Sequence, residues 1–393
     1  MEYQRYQLRD IGDIVSGATP KTTVAENFGG AIPWLTPADL SGYTQKYISR
    51  GKRNLTQLGY DSCSTQIMPS GTVLFSSRAP IGYTAIAKNP ICTNQGFKSI
   101  VPKPFVNSEF LYYQLIYLRK TIQDMGSGTT FKEISAKKFG AVQVTIPPLV
   151  EQEHIISRIE ELFSQLDVSV NELKTAKERL KVYRQAVLKE AFSKFDGSIE
   201  KTISSVCENI VDCPHSTPKW VQKGKLCLRT TNFKPGYLNL SEKNYVSEET
   251  FCERISRLAP KPGDVLFSRE GAILGIACII PDGLEVCMGQ RMMLLRPSED
   301  LLNKYLMYYL NSPKARTLII ENVGGTASPH INVGDIKNFT IPIIPFAQQQ
   351  SVVAEIESRL SVCDNIEKTV GTALQQAEAL RQSILKIAFE GGL

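Results

Sequence analysis

The chain has 393 residues, which is too long for one ordinary core and suits two to four domains. Its 42% hydrophobic content is that of a globular protein, and no run of about 18 uncharged apolar residues predicts a membrane span. The net charge is +6, and the opening MEYQRYQLRD lacks the apolar core of a secretory signal. Nine scattered cysteines without a C-x-x-C pair suit reduced thiols, so a cytoplasmic location is expected.

Residues 1–147 are rich in Gly, Pro and short β-prone runs such as TVLFS, with 16 Lys/Arg against 9 Asp/Glu. Turn signals recur about every ten residues, which predicts short strands. A helical stretch is expected around 108–124. Residues 148–195 carry 8 basic and 8 acidic residues, with no Gly and no Pro after Pro148. Residues 196–344 resume the strand-and-turn pattern, with DVLFS and a helical stretch around 300–320, and are nearly neutral at 17 against 16. Residues 345–393 return to a long helical pattern with 4 basic and 6 acidic residues. The basic excess of the first globular part is compatible with a polyanion partner, and equally with an ordinary basic surface.

The second half of the chain repeats the first. RQAVLKEAF (184–192) returns as RQSILKIAF (381–389), and Gly128-Thr129, Ile134, Pro148, Gln152 and Asp167 recur 197 residues later. Upstream, GTVLFSSRAPIG (71–82) resembles GDVLFSREGAILG (263–275), and NQGFKSIVP (94–102) resembles GQRMMLLRP (289–297). WLTPADL (34–40) resembles CLRTTNF (227–233), and GATPK (17–21) resembles HSTPK (215–219).

In the first long segment Ile159, Leu166, Leu173, Leu180 and Val187 fall every seven residues. Leu162, Ala176 and Tyr183 stand beside them, and Ser169 interrupts that second row. In the second segment Ile356, Cys363, Val370, Ala377 and Ile384 form the heptad row, with Ile366, Ala373, Leu380 and Ile387 as companions. Such spacing signals a coiled coil. Gly371 should cost roughly 1 kcal/mol in the second helix. Neither helix can bury its stripe alone, and pairing the two solves the problem. An antiparallel pair would relate the two globular parts by an approximate two-fold axis, as in dimers that place two readers on two DNA half-sites. The expected fold class is α+β: two similar globular domains (1–147 and 196–344) separated by two long helices (148–195 and 345–393) that form an antiparallel coiled coil.

Sequences such as GTTFKEISAKKFGAVQVTIPPLVEQEHIISRI (128–159) and IPFAQQQSVVAEI (344–356) resemble the strand-to-helix junctions of specificity subunits of type I restriction–modification systems. IPWLTPADL, VLFSSRAPIG, TNQGF and VDCPHSTPKW are similar to that family's target-recognition domains. The resemblance covers essentially the whole chain. It implies a non-catalytic DNA-binding subunit that reads a split double-stranded target, with the helices as spacer. It also implies docking of two methyltransferase subunits, and allows recruitment of two restriction subunits. Cofactors then belong to the partners: S-adenosylmethionine to the methyltransferases, ATP and Mg to the restriction subunits, and none to this chain.

Catalytic signatures are missing: there is no [ND]-P-P-[YF], no phosphate-binding P-loop and no H-E-x-x-H, and His154, His215 and His330 are far apart. Base readout requires Arg for guanine and Asn or Gln for adenine, while phosphates accept from Lys, Arg and hydroxyls. Four places in each repeat offer this chemistry beside turn formers. The first is Arg78, with Arg269-Glu270 in the second repeat. The second is the glycine-rich loop with Ser127, Thr129, Thr130 and Lys132, matched by Thr326, Ser328 and His330. The third is Asn94-Gln95, matched by Gln290-Arg291. The fourth is Lys21 with Thr36, matched by His215, Thr217, Lys219, Arg229 and Thr230. Each group also has a plain reading as turn, strand-end cap or solvated surface. Trp34 and Trp220 are expected to pack, and Arg184 and Arg381 fit either partner docking or an exposed polar face. Two rival readings remain: a coiled-coil protein scaffold, and a methyltransferase or nuclease with a divergent site.

Overall fold

The computed structural model describes residues 4–78, 80–128, 132–324 and 329–391. The chain divides into two units, Met1–Glu172 with Thr372–Leu393, and Leu173–Gly371. The long helices are Leu149–Ser193 and Phe346–Phe389, 45 and 44 residues. Each unit therefore combines one globular region with part of each long helix.

The first unit is built on a sheet in the order Gly12–Ser16, Lys98–Pro102, Val73–Phe75, Thr84–Ala87, Tyr47–Ile48. The second unit has Cys207–Asp212, Met292–Pro297, Val265–Ser268 and Ala277–Ile279 in the same order. A short parallel pair recurs too: Trp34–Leu35 with Cys92–Thr93, and Cys227–Leu228 with Cys287–Met288. The VLF runs explain why these sheets are covered on both faces. Successive side chains of a strand point to opposite sides. Val73 and Phe75 enter a core shared with helix residues Phe110, Ile156, Ile159 and Leu385, while Leu74 enters a separate core with Leu35 and Phe97. Val265 and Phe267 likewise join Tyr305, Val187 and Ile356, and Leu266 joins Leu228 and Met288.

The I-P junctions are fastened by matched glutamines. Gln152 is fully buried; its Nε2 donates to Pro147 O (2.7 Å) and Phe105 O (2.9 Å), and its Oε1 accepts from Asn107 N (2.7 Å). Gln349 repeats this with Ile344 O (3.0 Å), Asp300 O (2.9 Å) and Leu302 N (2.8 Å). Each glutamine ties the start of a long helix to the loop ahead of a shorter one, Ser108–Tyr117 or Asn303–Leu310.

Within each unit the two long helices run antiparallel. In the first unit Asp167 pairs with Arg381, whose guanidinium lies 4.7 Å from the Phe163 ring centroid, and Ile155 and Ile159 share a core with Leu385 and Ala388. In the second unit Arg184 meets Asp364 (2.7 Å), Glu190 meets Arg359 (2.9 Å) and Lys194 meets Glu355 (3.2 Å). The heptad rows hold: Ile159, Val187, Ile356, Val370 and Ile384 are buried, and Leu166, Leu173 and Leu180 half-buried. The companion row on the second helix does not. Ile366 is 43% and Leu380 49% exposed. Positions four residues after the heptad row are half-buried instead: Leu360, Glu367, Leu374 and Arg381 on the second helix and Phe163, Val170 and Arg184 on the first, with Arg184 meeting Glu367 and Arg381 meeting Phe163. Residues three and four apart both neighbour a given position on a helix. The apolar composition three residues on is misleading because the polar seam residues are neutralised: Arg184 bonds Glu367 (3.0 Å) as well as Asp364. Arg184 and Arg381 are thus cross-helix ties rather than free docking groups.

Candidate nucleic-acid interface

In each unit the four sequence-selected segments converge where the sheet meets the short parallel strand pair. In the first unit Ala18 N donates to Thr93 O (3.1 Å), Trp34 Nε1 to Ala18 O (3.1 Å), and Asn94 N to Leu35 O (2.8 Å). Thr19 Oγ1 donates to Gln95. Gly17 lies so close to this loop that a Cβ would overlap the Thr93 carbonyl, which is why a glycine opens GATPK. Ser77 N donates to Gly96 O (2.7 Å), and Ile134 N to Ser77 O (3.0 Å).

The second unit repeats the bonds at the VLFS turn and adds others of its own. Arg269 N donates to Arg291 O (3.0 Å) and Ile331 N to Arg269 O (2.9 Å). Gln290 Nε2 donates to His215 O (2.6 Å), and Gly271 N to Pro329 O (2.9 Å). These bonds fix the register within the first pair of candidates. Arg269 takes the place of Ser77, and Arg78 corresponds to Glu270. The bridge of Arg78 with Glu133 is matched by that of Glu270 with His330.

The candidates differ in what they present. Lys21, Lys132, Lys219, Ser127, Gln95, Thr217, Arg229 and Arg291 are exposed, and Asn94, Thr36, Thr230, Gln290, His330 and Arg78 half-buried. Asn94 Oδ1 accepts from Gly96 N (2.9 Å), and Thr36 Oγ1 donates to Asp39 (2.7 Å), so both also stabilise local turns. His215 Nε2 sits 3.2 Å from Asp212. Arg269 is not a surface residue: its side chain is only 7% exposed, with Nε and Nη2 on the two oxygens of Asp212 (2.8 and 3.0 Å) and Nη1 on Glu270 (2.7 Å). Burial opposes its charge, but hydrogen bonding to Asp212 and the charges of Asp212 and Glu270 outweigh that and raise its pKa. It fastens three segments instead of reaching outward. Thr129, Thr130, Thr326 and Ser328 lie outside the described residues.

Three contributors escape sequence reading. Arg254, 5% exposed, donates to Met288 O (2.9 Å) and Gly289 O (3.0 Å) and also bonds Ser216, bracing the GQR turn against HSTPK. Asp212 partners both Arg269 and His215. Lys98, 8% exposed, makes one long bond to Phe97 O (3.4 Å); burial pushes its pKa down, Glu133 opposes this and Arg78 adds to it. Arg254 sits on a short helix, Glu248–Ile255, far from any motif, so no pattern flagged it. Trp34 is core and Trp220 lies at the rim, 41% exposed under the Arg229 guanidinium, 5.8 Å from the ring centroid. Trp220, Arg229, Thr217, Thr230, Gln290 and Arg291 line a hollow of about 220 Å³. No group of three or more metal-binding side chains occurs among the described residues.

The model of the type I restriction modification DNA specificity domain matches residues 1–178 and 214–376. The chain belongs to this family. The family is a DNA specificity domain rather than a catalytic one. The chain is 41% identical over 194 residues to the type I restriction enzyme MjaIX specificity subunit of Methanocaldococcus jannaschii, a match spanning 48% of this chain and 44% of that relative. It is 24% identical to the EcoBI specificity subunit of Escherichia coli, over 99% of this chain and 86% of that one. The specificity-family fold is shared with a chain from a solved type I restriction–modification assembly (TM-score 0.74, 21% identity, 100% and 98% coverage). The HsdS subunit of Thermoanaerobacter tengcongensis is also similar (TM-score 0.54, 20% identity, 100% and 97% coverage). Among the described residues of this specificity-family chain no helix is long and apolar enough to cross a membrane.

Proposed function

We propose that this chain reads a split duplex DNA sequence, residues 1–147 contacting one part and residues 196–344 the other, with helices 148–195 and 345–393 as the spacer. The observation that carries this reading is the duplicated loop cluster: matched backbone bonds (Ser77 N to Gly96 O and Ile134 N to Ser77 O; Arg269 N to Arg291 O and Ile331 N to Arg269 O) hold different side chains in the two copies. A shared scaffold with altered side chains suits recognition of two different half-sites, because readout depends on a few side chains at base edges. The exposed lysines of both clusters would grip phosphates. Methyltransferase subunits, with S-adenosylmethionine, would supply the chemistry, and restriction subunits with ATP and Mg would join where the system has them. Exposed apolar residues on the second long helix suit partner docking: Val362 and Ile366 in the second unit, Leu380 and Ile387 in the first.

The test is to co-express the chain with its methyltransferase partner in a host without adenine methylation and to sequence the modified bases. A split motif that vanishes when this chain is omitted supports the reading. No methylation, from a stable complex whose methyltransferase works with another specificity chain, would refute it and favour a scaffold role.

A further inference from the structure

In the second unit one side chain combines a strained backbone with an unused guanidinium. Arg291 has φ of 66° and is the one non-glycine residue among those described with positive φ. A side chain in this left-handed region costs on the order of 1 kcal/mol, and such strain persists where surrounding structure enforces it. Here the enforcement is visible. Arg291 O accepts from Arg269 N (3.0 Å), the neighbouring Met292 O accepts from Cys213 N (3.1 Å), and the Gln290 side chain is bound to His215 O (2.6 Å). Gly271 makes room: a Cβ there would lie 3.3 Å from Arg291 Nη1.

Three arginines near this cluster are consumed by the fold, while Arg229 lies over the Trp220 ring (5.8 Å) on the same hollow. Arg254 bonds Met288, Gly289 and Ser216, Arg269 bonds Asp212 and Glu270, and Arg296 bonds Asp264 and Ala259. Arg291 is exposed on the rim of the 220 Å³ hollow, and no hydrogen bond or ion pair holds its guanidinium among the described residues. The scaffold does not require arginine at this place, since the first unit has Gly96 there and accepts the same bond, from Ser77 N (2.7 Å). A strained, fixed backbone carrying a free guanidinium fork is an arrangement for recognition, because the fork matches the O6 and N7 acceptors of guanine.

We propose that Arg291 is a specificity-determining residue that reads a guanine in the half-site contacted by residues 196–344. This rests on the DNA-reading function proposed above, which the unmodified chain tests by itself: it must first yield a split motif.

The experiment compares modified-base motifs for the wild type, R291G and R291K, each with the methyltransferase partner. R291G relieves the backbone strain, so it should fold at least as well as the wild type, and a thermal melt checks this. The expected result for both variants is loss of preference at one G·C position in one half of the motif, by roughly 10- to 100-fold, with the other half unchanged. R291K keeps the charge, so it separates the bidentate fork from simple attraction. Methylation reduced evenly across sequences, with the motif intact, would mean a phosphate contact and would overturn the proposal. An unchanged motif at an unchanged rate would overturn it too. If the wild type gives no split motif, the broader reading has failed and not merely this residue's role.

Discussion

The two units share a four-strand order and the backbone bonds that tie the VLFS turn to its neighbouring loops, yet they use their charges in different ways. At the turn after the VLFS strand the first unit has Ser77-Arg78, and the second has Arg269-Glu270. Arg78 stays near the surface, 3.6 Å from Glu133, whereas Arg269 is sunk onto Asp212 and Glu270. On the central strand the first unit buries Lys98 where the second has Met293. On the adjoining turn the first has Gly96 where the second strains Arg291. The lesson is that a duplicated backbone can keep its hydrogen bonds while exchanging which polar groups fasten it and which remain available. Position in the repeat therefore does not reveal role; the partners of each side chain do.

The largest expected effect would sharpen this contrast. D212A should leave Arg269 buried with only Glu270 and destabilise the second unit by about 3 kcal/mol. E133A, at the exposed pair of the first unit, should cost less than about 1 kcal/mol. Urea unfolding can separate them: Trp34 reports the first unit in a W220F background, and Trp220 the second in W34F. Equal losses would break the comparison.

The glutamine ties should behave alike in both units. Q152A and Q349A each remove the three hydrogen bonds of a fully buried side chain and should each cost about 2–3 kcal/mol in the same unfolding experiment. A loss in one unit only would mean that the two junctions are not equivalent.

K98M copies the second unit's methionine into the first. It should stabilise the first unit by about 1 kcal/mol by removing an unpaired buried charge. The sign can be checked by pH. Because the folded-state pKa of Lys98 is lowered by burial, the penalty is complete below that lowered pKa. It fades as pH rises through that lowered pKa towards the ordinary lysine value. The advantage of K98M should shrink along the same path. If DNA binding falls as well, Lys98 has a part in recognition.

The smallest effect concerns the long helices. Gly371 lies inside the second helix with open space around its missing Cβ, at a place where the first helix has Lys174. G371A should raise thermal stability by just under about 1 kcal/mol.

Much of this was legible in the sequence because it rests on periodicity and repetition. The heptad rows from Ile159 to Val187 and from Ile356 to Ile384 and the turn-bounded VLFS strands follow from spacing, and repetition picked out the four loop segments, whose convergence only the fold shows. The companion seam was not legible, because Glu367 and Arg381 look like surface residues until their cross-helix partners are seen. Nor was the difference between Arg269 and Arg291. Both stand in turns beside glycines, and only the three-dimensional position of Asp212 shows that one is bound and the other available. The strain at Arg291 has no sequence signature, and its counterpart Gly96 is not among the positive-φ glycines.

The most direct test of the central claim, that each globular region reads its own half-site from a shared scaffold, is a chain with the first region installed twice. Residues 196–344 would be replaced by residues 1–147 at the matched junctions, and modified bases sequenced with the methyltransferase partner. The account predicts a split motif in which the first unit's half-site occurs at both ends and the original second half-site is gone. A motif that still contains the original second half-site would contradict it.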